Sequence, residues 1–155
     1  MAVRALSPGI NDPQTAQAVL DRLGSTLCDL APRQLPTGVF MRDGRVALVV
    51  PVVDYGNSTD TMFGLIRQNA TRSAAVLKHI LDVLTAVIGC ERDPGRAAAL
   101  RYHACLVLAD AERSIENADD LADIRRSFTT LEITRQDGTV AAFQASRFTD
   151  STEVP

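Results

Sequence analysis

The polar residues best placed for chemistry lie near the start of the chain. Residues 5–13 read Ala-Leu-Ser-Pro-Gly-Ile-Asn-Asp-Pro, in which a Pro-Gly turn precedes two hydrogen-bond acceptors, Asn11 and Asp12. Pro13 follows, and its fixed φ angle suits the first position of a helix. The amino end of a helix presents unpaired N–H groups and partial positive charge, so this stretch can hold an anion.

The predicted ligand site extends from this helix start to a loop around residues 54 and 55. Its members are Arg4, Ser7, Asn11, Asp12, Asp54, Tyr55 and Arg67. The interpretation that we favour over this ligand site makes the opening segment a structural joint, which ends one helix, caps the next and holds a fixed angle between them. Asp12 favours the joint, because its charge opposes a bound anion unless it is engaged in capping.

The two histidines do not form an obvious catalytic pair. His79 and His103 lie on different predicted helices, with Asp82 and Asp110 as acidic residues in the same helices. His103 and Cys105 are two residues apart on one helix and therefore face apart. A metal site shared by the two histidines is the less favoured alternative to local hydrogen bonding.

Other chemical signatures are also missing from the sequence. The motifs of nucleotide-binding loops, serine hydrolases and zinc proteases do not occur. The acidic cluster at 119–123 is more typical of the solvated start of a helix than of a metal site. We therefore predict no catalytic residue, no metal and no cofactor, and we favour a domain that is not an enzyme.

The three cysteines predict small apolar side chains rather than a site. Cys28, Cys90 and Cys105 are far apart, odd in number and without the spacing of a zinc site. Each falls in an apolar helical pattern, where free cysteine usually serves as a small hydrophobic residue. Unpaired thiols favour a reducing compartment.

Composition is that of an ordinary soluble protein. Of 155 residues, 46% are hydrophobic and 23% are charged, with a formal net charge of −3. No nucleic-acid partner is expected at this charge. Charged residues and prolines interrupt every stretch that could be a signal peptide or cross a bilayer. We expect one soluble domain over residues 1–148 and a disordered tail over 149–155.

Apolar periodicity predicts five helices after the opening motif. Spacings of three and four residues place the apolar side chains of each helix on one face. The predicted helices cover residues 13–30, 59–69, 73–88, 94–115 and 117–126. Asp12 is the expected cap of the first, and Ser58 or Thr59 of the second. Gly24 is expected at a close helix contact, and Gly89 at a helix end.

Two segments change to the period of strands. Residues 38–53 contain two apolar runs around Asp43-Gly44, a dipeptide typical of tight hairpin turns. An isolated hairpin is only marginally stable, so its apolar face is expected to lie on the helices. A second hairpin is predicted over residues 128–148, with strands at 128–134 and 139–143.

The opening motif also carries a family resemblance. Residues 5–13, with Gln14-Thr15-Ala16 and Leu20-Asp21-Arg22-Leu23-Gly24, resemble the predicted bacterial membrane proteins of the domain of unknown function 2254 family. The resemblance covers residues 2–127. It implies amino-terminal transmembrane helices followed by a soluble region, of which this chain is the second part. Ala2–Leu6 then corresponds to the end of a helix leading from the membrane, and no catalytic residue is implied.

These observations predict a mainly α fold, a bundle of four to five helices with one or two short β-hairpins packed on its side. We expect a non-catalytic accessory or interaction domain of a membrane protein, located on the cytoplasmic side of the membrane. Its expected partners are the family's transmembrane segment or another membrane protein, together with a second copy in a homodimer. The alternative is a small-ligand-binding or enzymatic domain with its polar site near the first helix and the Asp54-Tyr55 loop.

Overall fold

The computed structural model describes residues 1–7, 10–52 and 55–134. Within these residues the chain forms six helices and one two-stranded antiparallel sheet. The helices are α1 (Ala2–Ala5), α2 (Pro13–Leu30), α3 (Tyr55–Asn69), α4 (Ala74–Cys90), α5 (Pro94–Ser114) and α6 (Ala118–Ile133), and the strands are β1 (Val39–Arg42) and β2 (Arg45–Val49). The predicted mainly α fold with a minor β component is confirmed.

Helix α4 lies at the centre of the core. Helices α2, α5 and α6 all pack against it, so apolar residues cover most of its circumference. The residues that periodicity predicts to face inward are all buried: Val76, Ile80, Val83, Leu84 and Val87. The bundle is therefore organised around one apolar helix that its neighbours shield from water.

Helix α2 approaches α4 closely at Gly24, as predicted. Gly24 is buried, and a Cβ atom built on it would lie 2.7 Å from Val83 Cγ1. A contact that short cannot be accommodated unless the Val83 side chain or one of the two helices moves. The bounds of α2 also agree with the predicted helix over residues 13–30.

Two predicted helix boundaries are wrong. Helix α3 begins at Tyr55, and Thr59 is not its cap but a fully buried residue whose hydroxyl donates to the Gly56 carbonyl oxygen at 2.8 Å. Helix α4 continues through Gly89 to Cys90. A glycine ends a helix only where the backbone turns to positive φ, and Gly89 keeps the helical conformation.

The first strand of the second predicted hairpin is also wrong. Residues 128–133 continue helix α6, which buries Ile124, Ser127 and Leu131 at spacings of three and four. That spacing matches one helical face, so packing on α4 selects the helix over the strand. The predicted strand at 139–143 and the predicted tail lie outside the described residues.

The first hairpin forms as predicted, but its packing does not match the prediction. Asp43 and Gly44 adopt φ angles of 50° and 74°, which form the tight turn. Every residue of β1 and β2 is exposed. The expectation that the apolar face of this hairpin lies on the helices is therefore wrong, because the hairpin extends away from the core.

The close contact at Gly24 predicts a loss of stability on enlargement. Gly24→Ala should lower the free energy of unfolding by about 1–3 kcal/mol, because the added methyl group overlaps Val83. Gly64→Ala in α3 is the matched control. Nothing lies within 4 Å of a Cβ atom there, so the better helix propensity should raise the free energy by about 0.5–1 kcal/mol. Urea denaturation measures both, and equal stabilities would contradict the close packing.

Candidate functional site

The opening motif is held by its own hydrogen bonds. The Ser7 hydroxyl donates to the Arg4 carbonyl oxygen at 2.8 Å. The backbone N–H of Asp12 donates to the Ala5 carbonyl oxygen at 2.7 Å, and that of Asn11 donates to the Ser7 carbonyl oxygen at 2.9 Å. These bonds connect the end of α1 to the start of α2 and fix the angle between the two helices.

Asp12 caps α2, as predicted. Its Oδ1 accepts the backbone N–H of Thr15 at 3.1 Å, and its Oδ2 accepts the Thr15 hydroxyl at 2.5 Å. The bond from the hydroxyl, followed by the bond from the N–H, lowers the pKa of Asp12, since both stabilise the charged form. Both carboxylate oxygens are engaged in the cap.

A polar cleft lies beside Asn11. Its volume is about 590 Å³. Leu6 lines it together with six polar residues: Asn11, Gln68, Asn69, Thr71, Arg72 and Ser73. Arg72 is the charged residue among them, so the cleft suits an anion better than a cation. Asn11 has a φ of 43°, a backbone conformation that asparagine tolerates better than most residues.

The remaining predicted site residues do not meet at this cleft. Tyr55 and Arg67 lie at opposite ends of α3, which separates them by roughly 18 Å along the helix axis. Arg67 instead forms an ion pair with the buried Asp110 of α5. Arg4 is exposed, and Asp54 lies outside the described residues.

A polar seam joins α3 to α5, in which His103 and Asp110 are buried and Asp60 is exposed. Asp60 Oδ1 lies 3.2 Å from His103 Nε2, and two helical turns further along Arg67 pairs with Asp110. Both partners advance by seven residues, so α3 and α5 run parallel along the seam. The sequence offered His103 an acidic residue on its own helix, Asp110, seven positions away. The partner that the structure assigns comes from α3, and no local spacing reveals it.

His103 is a buried, structurally engaged histidine. Its side chain is almost fully buried, and among the described residues its Nδ1 has no hydrogen-bond partner. Burial lowers the pKa of His103, the Asp60 carboxylate opposes that shift, and the Arg67 guanidinium adds to it. This environment fits a neutral ring that donates from Nε2 to Asp60 and keeps Nδ1 unprotonated.

The second histidine lies on a different pair of helices. His79 Nε2 is 2.8 Å from Asp21 Oδ1 of α2, and Asp82 pairs instead with Lys78 at 2.9 Å. The two histidines therefore have separate carboxylate partners. Within the part of the chain that the structure describes, no three His, Cys, Asp or Glu side chains are placed to hold a metal ion.

A cluster of buried polar groups lies at the start of α5. Glu91 is fully buried, and its Oε1 accepts the backbone N–H groups of Arg92 and Asp93 at 3.0 Å each. The Arg96 guanidinium lies 3.9 Å from the same oxygen and 5.4 Å from the centre of the Tyr55 ring. In the described residues, Glu91 Oε2 and the Tyr55 hydroxyl have no hydrogen-bond partner.

This cluster borders a second cleft of about 500 Å³, whose lining includes Thr37, Tyr55 and Arg96. Burial raises the pKa of Tyr55, and the charge of Glu91 raises it further. The Tyr55 hydroxyl therefore stays protonated and is available as a hydrogen-bond donor. The sequence does not predict the buried position of Glu91, because glutamate is rarely buried and no local pattern marks a buried one.

The cysteines divide into two buried residues and one exposed residue. Burial raises the pKa of the Cys28 thiol, and the neighbouring Cys90 raises it further. A thiol of this kind stays protonated and is a poor nucleophile. The prediction of small apolar side chains holds for buried Cys28 and Cys90, whereas Cys105 is exposed.

The hairpin over residues 39–49, here called the ribbon, exposes apolar side chains on both faces. Successive residues of β1 alternate between faces, and each shares its face with its partner in β2. The register shifts between Phe40 and Met41, because Ala47 is an extra residue between their partners Leu48 and Val46 in β2. One face, the valine face, consists of the pairs Val39 with Val49 and Met41 with Val46. The other, the arginine face, consists of Phe40 with Leu48 and Arg42 with Arg45. The six apolar residues of the two faces are 44–65% exposed.

Gly38 closes the base of the ribbon. Its carbonyl oxygen accepts the backbone N–H of Val50 at 2.8 Å. Its φ is 73°, and a Cβ atom there would lie 2.2 Å from the Val50 carbonyl oxygen. Only glycine fits this conformation and this approach without strain, so the geometry at the base depends on that residue.

Comparison with known proteins identifies the family. Residues 1–86, more than half of the chain, match the profile of a family described as predicted membrane protein (DUF2254). The chain belongs to this family. Uncharacterized proteins of Mycobacterium bovis and of two strains of Mycobacterium tuberculosis are each 32% identical to it over 143 residues, which is 91% of this chain.

The chain spans 27% of the length of each of these DUF2254 relatives. No solved structure matches it significantly. Among the helices of residues 1–7, 10–52 and 55–134, none combines the length and the apolar character needed to cross a lipid bilayer. The family match over residues 1–86 confirms the resemblance that the opening motif predicts.

The seam around His103 predicts that stability falls in mild acid. The pKa of His103 lies below its usual value of 6.5 in the folded chain, so the unfolded chain binds the proton more tightly. Above about pH 7 the His103 ring is neutral in both the folded and the unfolded chain, so its titration takes nothing from the free energy of unfolding. Below about pH 6.5 the free energy of unfolding should fall, by up to about 1.4 kcal/mol per pH unit.

Urea unfolding across this pH range measures the effect. His103→Gln should flatten the dependence on pH, because glutamine does not titrate. Tyr102→Phe, at the adjacent exposed position of α5, is the control and should keep the dependence of the native chain. An unchanged slope in His103→Gln would show that other groups carry the acid sensitivity.

Proposed function

We propose that this chain is a non-catalytic interaction domain of a DUF2254 membrane protein. In this proposal the ribbon contacts the membrane assembly, meaning the transmembrane part of a family member with its surrounding lipid. The observation that carries the proposal is the exposure of apolar side chains on both faces of the ribbon. Exposed apolar patches of this kind mark interaction surfaces. A lone two-stranded hairpin is also marginal in water, so a covering partner stabilises it.

The family context supports a membrane-bound partner. The relatives that share this region are several times longer than the chain, which spans 27% of their length. Their family is described as predicted membrane protein. A domain in such a protein works beside a bilayer, where an apolar ribbon finds a partner. The cytoplasmic side is the one we assign to it, because Cys28, Cys90 and Cys105 are free thiols.

The engagement of the reactive side chains supports a role without catalysis. His79 is paired with Asp21, and His103 is buried against Asp60. The Asp12 carboxylate is used in capping α2. These groups stabilise the fold in the positions that they occupy, whereas the apolar residues of the ribbon stabilise nothing in the helical core.

Membrane flotation tests the proposal. The chain should float with inverted membrane vesicles from cells that produce a full-length mycobacterial relative, and less with right-side-out vesicles. Val39→Ser with Val49→Ser removes apolar surface from the valine face and should weaken flotation about tenfold. Leu65→Ser, at an exposed position of α3, is the matched control and should float like the native chain.

Two results would contradict the proposal. One is a native chain that stays in the soluble fraction with both kinds of vesicle. The other is a Val39→Ser, Val49→Ser variant that floats as well as the native chain. Circular dichroism should show the same helix content in all variants, because the substituted residues are exposed. Preference for right-side-out vesicles would reject the cytoplasmic assignment alone.

Small-ligand binding is a second candidate function, favoured by the polar cleft beside Asn11. If the cleft binds anions, inorganic phosphate, sulfate or a small carboxylate should raise the melting temperature. Asn11→Gly removes the amide and tolerates the positive φ, so it should abolish the shift while the domain stays folded. Gln34→Ala, in an exposed loop, is the control. A shift that persists in Asn11→Gly would exclude the cleft.

A further inference from the structure

The two faces of the ribbon differ in a way that identifies the chemistry of the partner. We infer that the ribbon lies flat in the interface of an anionic lipid bilayer. The valine face contacts the acyl chains, and the arginine face lies among the headgroup phosphates. This inference rests on the proposed function, because it names the component of the membrane assembly that the ribbon contacts.

The valine face has the composition of a lipid-contacting surface. Its four side chains are those of three valines and one methionine, all exposed, and none carries a polar group. The strands of four and five residues make the ribbon about 15 Å long. A surface of this length and character gains free energy from apolar burial along its whole face when it lies parallel to a bilayer.

The arginine face carries a pair of like charges. Arg42 and Arg45 are directly opposed across the two strands, an arrangement that is unfavourable unless an anion lies near both. Asp43 is the acidic residue of the turn between them. The chain as a whole has a net charge of −3, so this cationic end stands out from its surroundings. Phosphate oxygens of lipid headgroups match two guanidinium groups in charge and hydrogen-bonding geometry.

The position of the arginines also sets the depth of the ribbon. Charged guanidinium groups and the unpaired backbone groups at the strand edges are costly in hydrocarbon. In the interface, water and headgroups satisfy both. Phe40, on the arginine face, lies at the level where aromatic rings are favoured. A flat orientation in the interface therefore suits the valine face, the two arginines, the strand edges and Phe40 at once.

A lipid interface fits the ribbon better than a second copy of the chain. Two ribbons packed valine face to valine face would leave Phe40 and Leu48 in water. That arrangement would also provide no counter-charge for Arg42 and Arg45. A lipid interface covers both faces and supplies the anions at once, which is why we choose it as the occupant.

Flotation with protein-free liposomes tests the inference. The native chain should float with an equimolar mixture of phosphatidylcholine and phosphatidylglycerol, and much less with phosphatidylcholine alone. Arg42→Gln with Arg45→Gln should weaken binding to the anionic liposomes about 30-fold. Met41→Ser with Val46→Ser should weaken it about tenfold. The matched controls are Arg22→Gln with Arg126→Gln, which remove two exposed arginines elsewhere, and Leu65→Ser.

The outcomes separate this inference from the proposed function. Absence of binding to anionic liposomes, or equal binding by the ribbon variants, overturns the lipid inference. If the chain still floats through the valine face with vesicles that contain the relative, the proposed function stands and a protein segment is the partner. If light scattering shows a dimer that only the ribbon variants lose, a second copy covers the ribbon and the lipid inference is wrong.

Discussion

The fold depends on the burial of α4. Its apolar residues extend around most of the helix, so three other helices must cover it together. The contact between Gly24 and Val83 brings α2 close enough to exclude water from this surface. Once α2, α5 and α6 are placed by this requirement, the polar seam of α5 with α3 and the joint between α1 and α2 follow from their positions.

Local patterns correctly predicted the helices in which the spacing of apolar residues marks the buried face. The period of apolar residues predicted α2, α4 and α5, and Asp12 predicted the cap of α2. Two of the wrong predictions share one cause. Residues 128–133 and the first turn of α3 are compatible with several local structures, and tertiary packing selects among them. For the ribbon, alternation predicted the strands correctly but held no information on what covers them.

The polar residues that matter to the core were the hardest to predict. Glu91 is fully buried beside Arg96, and Asp60 reaches His103 from another helix. Asp60 and His103 are distant in sequence, and Glu91 and Arg96 lie on either side of the start of α5, so neither pairing has the spacing of one helical face. The predicted ligand residues were chosen by proximity in sequence to a turn. The structure keeps Asn11 at a cleft and separates Tyr55 from Arg67 by the length of α3.

Gly38 fixes the base of the ribbon before any partner binds to it. A glycine with positive φ and a tight bond to Val50 leaves the two strands with one arrangement at their base. Although an uncovered hairpin is marginal in water, the ordered base loses little conformational entropy on docking, so the net binding free energy is more favourable. Preorganisation of this kind lets a short element with few side chains serve as an anchor.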